Sequence, residues 1–395
     1  VGRPLLMIPG PVEVSPAVQA AASAPPPSHT APELIESFGR SLERMRRVWR
    51  ADGSAQPFVL AGGGTAAMDM AVANLIEPGD RVLVVHTGYF SDRFAEMLRR
   101  AGARVHEVGA PVGDAPTPER VAEELEGQLR EGPLKAVTVT HVDTSTGVRV
   151  DPEPLARLAR EAGALSIFDG VCATGGERFE MAAWDADVYL TASQKALGLP
   201  PGLALLVASE RALAARRERR TAPPMYLDWE TWLPIHRAYE ERRPSYFSTP
   251  ATPLVKALEV ALAEILTQGV EARWEAHRRS ARALRAGWRA LGLRAVPERE
   301  ELLADTLSAL RFPDGTDRSL VGRIGDHGVT VAGGLHPEIR DRYFRVGHMG
   351  FATTRPDMLL RTVEAVGRGL SDAGIGVDPT AASRAVQNAL GERPE

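Results

Sequence analysis

The chain has 395 residues, 44% of them hydrophobic and 25% charged, with a formal net charge of −4. That length suits two domains better than one core, and the composition is that of an ordinary globular protein. The charge gives no polyanion-binding signal, which disfavours nucleic acid as a partner, and the single cysteine, Cys172, excludes an internal disulfide framework and fits a reducing, cytoplasmic compartment.

In chain order, Ala22 to Pro27 reads as a Pro-rich turn. Phe58-Val59-Leu60 is a short apolar strand, followed by Ala61-Gly62-Gly63-Gly64-Thr65 and a helical pattern over residues 66–76. Strand, glycine turn and helix start can aim free backbone N–H groups and the helix dipole at an anion; the same pattern also makes an ordinary tight turn. It is neither a P-loop nor a GxGxxG, so neither ATP nor a dinucleotide is indicated. Val82 to Val85 and Ala136 to Val139 are further strands. The second runs on through His141, Asp143, Thr144, Ser145 and Thr146 to Gly147, which reads either as a hydroxyl cluster at a strand's end or as a Thr-rich edge strand. Leu165 to Phe168 is a strand ending in Asp169, and Val188-Tyr189-Leu190 leads into Thr191-Ala192-Ser193-Gln194-Lys195.

A lysine between a buried strand and a small-residue turn is poorly solvated. That lowers its pKa and frees the amine to attack carbonyls. With an acid at the end of an earlier strand, it suits a pyridoxal phosphate site, where lysine condenses with the cofactor's aldehyde and the acid keeps the pyridine nitrogen protonated. Taken singly, a lysine after a strand is usually a solvated loop residue, and an aspartate there a turn former or cap.

Leu203 to Val207 reads as another strand. Alternating strands and helices indicate an α/β region around a mostly parallel sheet. From Leu254 one long amphipathic helix is expected to run to Leu291, followed by short strands and helices at residues 306–312 and 359–370. The division expected is an N-terminal segment (1–20) packing on a smaller α+β domain (254–376), a large domain (21–253) and a peripheral tail (377–395). No apolar run reaches a membrane span, no signal peptide is expected, and Arg393-Pro394-Glu395 is not a peroxisomal address. No metal site is expected.

The order of these segments resembles the class V aminotransferases of PLP fold type I, in the alanine–glyoxylate and serine–glyoxylate (serine–pyruvate) branch. The resemblance spans roughly residues 4 to 370. It rests on Ile8-Pro9-Gly10-Pro11, Gly62 to Thr65, Glu77-Pro78-Gly79-Asp80, Thr144 to Val148, Ser193 to Leu197 with Pro200-Pro201-Gly202, Tyr246-Phe247-Ser248-Thr249-Pro250, and Arg345 to Gly350. It implies an α/β large domain with a mostly parallel seven-stranded sheet, in which residues 204–207 return antiparallel, and a homodimer with shared active sites.

It also implies roles. Lys195 would carry the cofactor, pyridoxal 5′-phosphate, and then shuttle a proton; Asp169 would pair with the pyridinium nitrogen. Phe90 would stack on the ring, where relatives often have tryptophan, with Tyr89 as the alternative, and Val171 would contact the opposite face. Gly63, Gly64, Thr65 and Gln194 would hold the phosphate, and Thr144 would bond near the ring oxygen or the substrate. Tyr246 and Thr249 would reach the neighbouring subunit's phosphate. Arg345 would clamp the substrate carboxylate, for which a bidentate guanidinium has the right geometry. His348 reads as a pocket residue or a structural one. The implied reaction moves an amino group from a small amino acid, alanine first and serine next, to glyoxylate or pyruvate. Ureidoglycine and aminophosphonate donors stay open. The alternative is a cysteine desulfurase-like lyase, which needs a mobile nucleophilic cysteine in a late loop; Cys172 instead follows the Asp169 strand.

Overall fold

The computed structural model describes residues 2–391. Its strands are β1 (Leu5–Leu6), β2 (Gln56–Ala61), β3 (Arg81–Val85), β4 (Arg104–Val108), β5 (Ala136–Thr140), β6 (Leu165–Asp169), β7 (Val188–Ala192), β8 (Leu203–Ala208), β9 (Leu307–Arg311), β10 (Val329–Thr330), β11 (Ala332–Gly333) and β12 (Tyr343–Gly347).

Seven of them form one sheet in the order β2-β8-β7-β6-β5-β3-β4. Strands β3 to β7 run parallel, while β8 is antiparallel to both neighbours, as the resemblance implies. Every residue of β3, β5, β6 and β7 is buried. With both faces covered by helices, the only polar residues they admit besides Arg81 and Asp169 are small ones, Thr138, Thr140, Ser166 and Thr191, beside the Tyr189 phenol. Strand β4 closes the edge with Arg104, His106 and Glu107, charges that discourage further pairing. Because β2 runs in the same direction as β7, the turns after β2, β3, β5, β6 and β7 all leave from one end of the sheet. Ligand sites in open α/β sheets lie there.

The large hydrophobic cluster surrounds this sheet. A second cluster joins Leu5 and Met7 to Leu284, Trp288, Leu310, Phe344, Val363 and Val366. The N-terminal segment reaches it through β1, which pairs in parallel with β10.

Two expectations need correction. The single helix expected over residues 254–291 is two helices, Thr252–Gln268 and Val270–Ala290, broken at Gly269, whose φ of +90° is a conformation side chains disfavour. The first of them buries Val255, Leu258 and Leu262 with the large cluster, so the change of core comes after it and not at residue 254.

The tail is also not peripheral. Helix Pro379–Gly391 buries Ala382 and Val386 in the second cluster. It settles on helices Val270–Ala290 and Pro356–Asp372 because glycines face it: a Cβ on Gly287 would lie 2.7 Å from Val386 Cγ2, and one on Gly367 2.9 Å from Pro379 Cβ. Residues 392–395 lie outside the described part. Gly287→Val should therefore overpack this contact and cost about 1–3 kcal/mol, read as a lower urea midpoint. An unchanged midpoint would show that the tail helix contributes nothing to the core.

Candidate active site

Lys195 sits three residues beyond β7. Its chain direction is fixed by Leu203 N–H donating to Ser193 Oγ (3.1 Å) and by Gly198 N–H donating to the Lys195 carbonyl (2.8 Å). The side chain is buried, and its Nζ donates to the Pro9 carbonyl. The N-terminal Ile8 to Pro11 segment thus lies directly over the amine. Gly10 is required there, since a Cβ on it would stand 2.7 Å from Lys195 Cδ. Burial lowers the Lys195 pKa; neighbouring Cys172 and Asp169 oppose that, while the Arg345 charge adds to it. The neutral amine that nucleophilic chemistry requires is favoured for this reason.

Asp169 is the last residue of β6. It accepts the Val171 N–H at 2.8 Å on Oδ1. Burial, with a further push from Asp143, raises its pKa to about 7, against the Val171 hydrogen bond, Lys195 and Arg93. A buried carboxyl so placed is short of a cationic partner.

Helix Gly64–Leu75 begins at Gly63 with no side-chain cap. Among the described residues no acceptor meets the N–H groups of Gly64, Thr65 and Ala66. Three unpartnered donors at a helix start are an anion site. A Cβ on Gly63 would meet nothing, but one on Gly64 would fall 2.6 Å from Val171 Cγ2, so the glycine turn packs directly on the loop after Asp169. Gln194 Oε1 is buried without a partner.

Phe90 and Tyr89 are both half-buried, their rings edge-to-face at 5.4 Å. Thr144 is buried, and its carbonyl accepts Arg345 Nη1 at 3.0 Å. Arg345, on β12, also donates from Nε to the Gly333 carbonyl (2.9 Å). With two directions of the fork committed, no acceptor among the described residues meets its Nη2. His348 is buried; its Nε2 pairs with Ser308 Oγ at 3.0 Å, and burial pushes its pKa to about 3, so the ring is neutral. Cys172 lies beneath the site, 3.9 Å from Thr306 Oγ1, its thiol pushed up by burial. Tyr246 and Thr249 stand apart: Tyr246 is 58% exposed, its hydroxyl 3.4 Å from Thr249 Oγ1 and its ring against His29. No hydrogen bond among the described residues joins this pair to Lys195, Gln194 or the glycine turn.

Residues 29–350 match the family model described as aminotransferase class-V. The chain belongs to the class V aminotransferases. It is 38% identical over 360 residues to alanine–glyoxylate aminotransferase 1 of Saccharomyces cerevisiae, covering 87% of this chain and 91% of the yeast protein. Its structure is similar to that of pyridoxamine–pyruvate aminotransferase from Mesorhizobium loti (TM-score 0.91, 27% identity, 99% and 98% of the two chains). It is likewise similar to ureidoglycine–glyoxylate aminotransferase from Bacillus subtilis (TM-score 0.90, 26% identity, 99% of each chain). The alanine–glyoxylate and serine–glyoxylate branch is the right one, and this class V aminotransferase is a PLP-dependent enzyme.

The site fits the cofactor that the family implies. A phosphate would meet three unpartnered N–H groups and the Thr65 hydroxyl, a pyridinium would meet a carboxyl lacking a cation, and an aldehyde would meet a lysine kept from its charged form. No helix among the described residues is long and apolar enough to cross a membrane.

Two residues escaped the sequence reading of this aminotransferase. Arg93 donates to Thr65 Oγ1 (3.2 Å) and to Tyr89 Oη (2.9 Å), and its guanidinium lies 5.0 Å and 5.2 Å from the Tyr89 and Phe90 ring centres. Its signal was the spacing of one helical turn from those aromatics, lost among many arginines. Asp143 is fully buried: Oδ1 accepts the Ser145 N–H (2.9 Å), and Oδ2 accepts the Phe90 N–H (3.0 Å). It fixes the loop that carries both aromatics. Gly88 makes room for it, since a Cβ there would stand 2.8 Å from the Asp143 carboxyl carbon. A Thr-rich run gave no reason to single out its one aspartate.

Proposed function

We propose that this chain moves the amino group of a small amino acid, alanine first and serine next, to glyoxylate or pyruvate by a ping-pong mechanism. The observation that carries this reading is Arg345, pinned by two backbone carbonyls close enough to Lys195 to shift its charge balance, with Nη2 left for a carboxylate. Both half-reactions present an α-carboxylate, so one guanidinium serves both. Pyridoxal phosphate, when bound, supplies an electron sink for the bonds of the substrate Cα.

The rest is the work of side chains. Lys195 would hold the cofactor and move a proton at Nζ. Asp169 would stabilise positive charge at the ring nitrogen. Gly63, Gly64, Thr65 and Gln194 would hold the phosphate, Phe90 and Val171 would contact the ring, and Thr144 would bond beside it. The site is complete only in a homodimer, where Tyr246 and Thr249 of one subunit reach the other's phosphate. The exposure of Tyr246, and the lack among the described residues of a hydrogen bond from this pair to its own glycine turn, support this arrangement.

A panel of alanine, serine, aspartate and ureidoglycine as donors against glyoxylate and pyruvate tests the substrates. Alanine with glyoxylate should give the highest kcat/KM. The similarity to the Bacillus subtilis enzyme favours ureidoglycine as the second reading, and a clear preference for it would replace alanine. The buried thiol of Cys172, with its raised pKa, weighs against a desulfurase.

Arg345→Gln should lower kcat/KM for every α-amino acid donor by about 100-fold or more, since it removes a charged hydrogen bond worth roughly 3 kcal/mol. A loss confined to one donor would place the carboxylate elsewhere.

For the dimer, inactive Lys195→Ala chains and inactive Tyr246→Phe/Thr249→Ala chains should regain activity when unfolded and reassembled together. One site in each mixed dimer then has all three groups intact. Mixtures that stay inactive, although mixed dimers form, would put the Tyr246 motif in cis.

A further inference from the structure

A cavity of about 430 Å³ lies outside the active site, and none of Lys195, Asp169, Gln194 and Arg345 lines it. That volume is in the range of small-ligand pockets. Three features give it chemistry.

Its walls are cationic. Arg149, Arg178, Arg278 and Arg299 all reach it. Glu177 pairs with Arg149 (3.6 Å), Glu275 with Arg278 (3.1 Å) and Asp114 with Arg299 (2.6 Å) from behind the wall, while Glu301, which lines the cavity, also takes Arg299 Nη1 at 3.3 Å. No acceptor among the described residues meets Arg278 Nη2, whereas all three nitrogens of Arg299 have acceptors and only the second hydrogens of Nη1 and Nη2 remain for a ligand.

Two helices also begin on it. Helix Pro118–Glu131 starts from Thr117 and helix Pro152–Glu161 from Asp151, and Thr117, Pro118, Asp151 and Pro152 are all lining residues. Their positive dipole ends converge on the same space.

The third feature is His141. It lines the cavity yet is only 1% exposed. Its Nδ1 is occupied by the Tyr189 hydroxyl at 3.0 Å, and among the described residues nothing meets its Nε2. In the tautomer where Tyr189 donates to Nδ1, the ring proton sits on Nε2 and faces an acceptor in the cavity. Burial keeps this imidazole neutral, with a pKa pushed to about 3. Nε2 is the one polar atom of the ring left for the cavity that His141 lines.

Leu155, Trp184 and Leu302 supply apolar lining, and Arg178 lies 5.4 Å from the Trp184 ring centre. Three carboxylates, Asp151, Glu153 and Glu301, also line the cavity and nearly balance the arginines. Asp151 is partly committed to capping its helix, accepting the Glu153 N–H at 3.1 Å. A polyphosphate would face repulsion from these acids, whereas a single carboxylate on a compact apolar body satisfies both the cationic and the apolar lining.

We propose that this cavity is a second, non-catalytic binding site for a small organic carboxylate. The anion sits between His141 and the Arg278 and Arg299 side, and the apolar body lies against Trp184. Its occupant touches the sheet-bearing part of the chain at Thr117, His141 and Asp151 and the later part at Arg278, Arg299 and Leu302.

Sodium benzoate is a suitable probe, titrated calorimetrically into the cofactor-loaded enzyme. Saturable binding is expected to persist in Arg345→Gln, where the active-site carboxylate clamp is gone. In Arg345→Gln carrying also Arg278→Gln and Arg299→Gln, that binding should weaken at least tenfold with the thermal midpoint of the ligand-free protein unchanged. Inorganic phosphate should not compete. Absence of saturable binding in Arg345→Gln, or affinity indifferent to Arg278→Gln and Arg299→Gln, would overturn the proposal, as would effective competition by phosphate. Should the combined variant not fold, a benzoate-soaked crystal of the unaltered enzyme decides: density between His141 and Arg299 supports the site, and density confined to Arg345 removes it.

Discussion

Lys195→Ala is expected to abolish transamination while the protein still binds pyridoxal phosphate non-covalently. The loss should exceed about four orders of magnitude, more than about 5 kcal/mol of barrier. The proposed mechanism gives Lys195 two jobs that alanine cannot do, covalent anchor and base at the substrate Cα. The hydrogen-bond donors proposed for the phosphate, the unpartnered N–H groups after Gly63, do not depend on it. In the unaltered enzyme, borohydride should fix the cofactor's absorbance to a peptide containing Lys195, and in the variant it should fix nothing. A small primary amine added to the variant should restore part of the rate, because the vacated space adjoins the same carbonyl of Pro9. Normal turnover by Lys195→Ala would end the assignment.

Asp169→Asn should cost on the order of 4 kcal/mol of barrier, roughly a thousandfold in rate, because an amide cannot hold positive charge at a ring nitrogen. A second effect separates this role from that of a structural cap. In the cofactor-free chain, burial raises the Asp169 pKa from 3.8 to about 7. The unfolded chain ionises near pH 4 and the folded chain only near pH 7. Between those values the folded state binds the extra proton, so this group's contribution to stability falls as pH rises through that window. The penalty reaches roughly 4 kcal/mol at most above pH 7, at about 1.4 kcal/mol per pH unit. Cofactor-free Asp169→Asn escapes it and should be more stable to urea than the native chain at pH 8, with the difference shrinking toward pH 4. A variant that is slower but no more stable would mean that Asp169 is already neutralised by its neighbours.

Much of the sheet was legible because its strands are buried on both faces. Residues 82–85, 136–139, 165–168 and 188–190 are mostly apolar or β-branched, interrupted only by Thr138 and Ser166, and each is a strand. The glycine turn and Asp169 were legible for a related reason: they sit where an apolar run stops, which is where a parallel strand hands the chain to a loop. Arg345 came from the family resemblance alone, since nothing local distinguishes it from the other arginines.

Other features were decided only by the tertiary structure. Gly269 breaks the expected long helix, because its positive φ is set by how two helices must diverge around two different cores, not by the periodicity on either side. The tail helix is anchored by the empty space over Gly287 and Gly367, 99 residues before Val386 and 12 residues before Pro379 respectively. Arg93 and Asp143 became site residues only when the turn after β3 met the turn after β5, an adjacency between strands that are not consecutive in the chain. The Pro9 carbonyl over Lys195 joins residues 186 positions apart. Local sequence fixes where strands end and which backbone groups are left free there; which ends face one another follows from strand order and from close approaches that glycine permits, and these are properties of the packed chain.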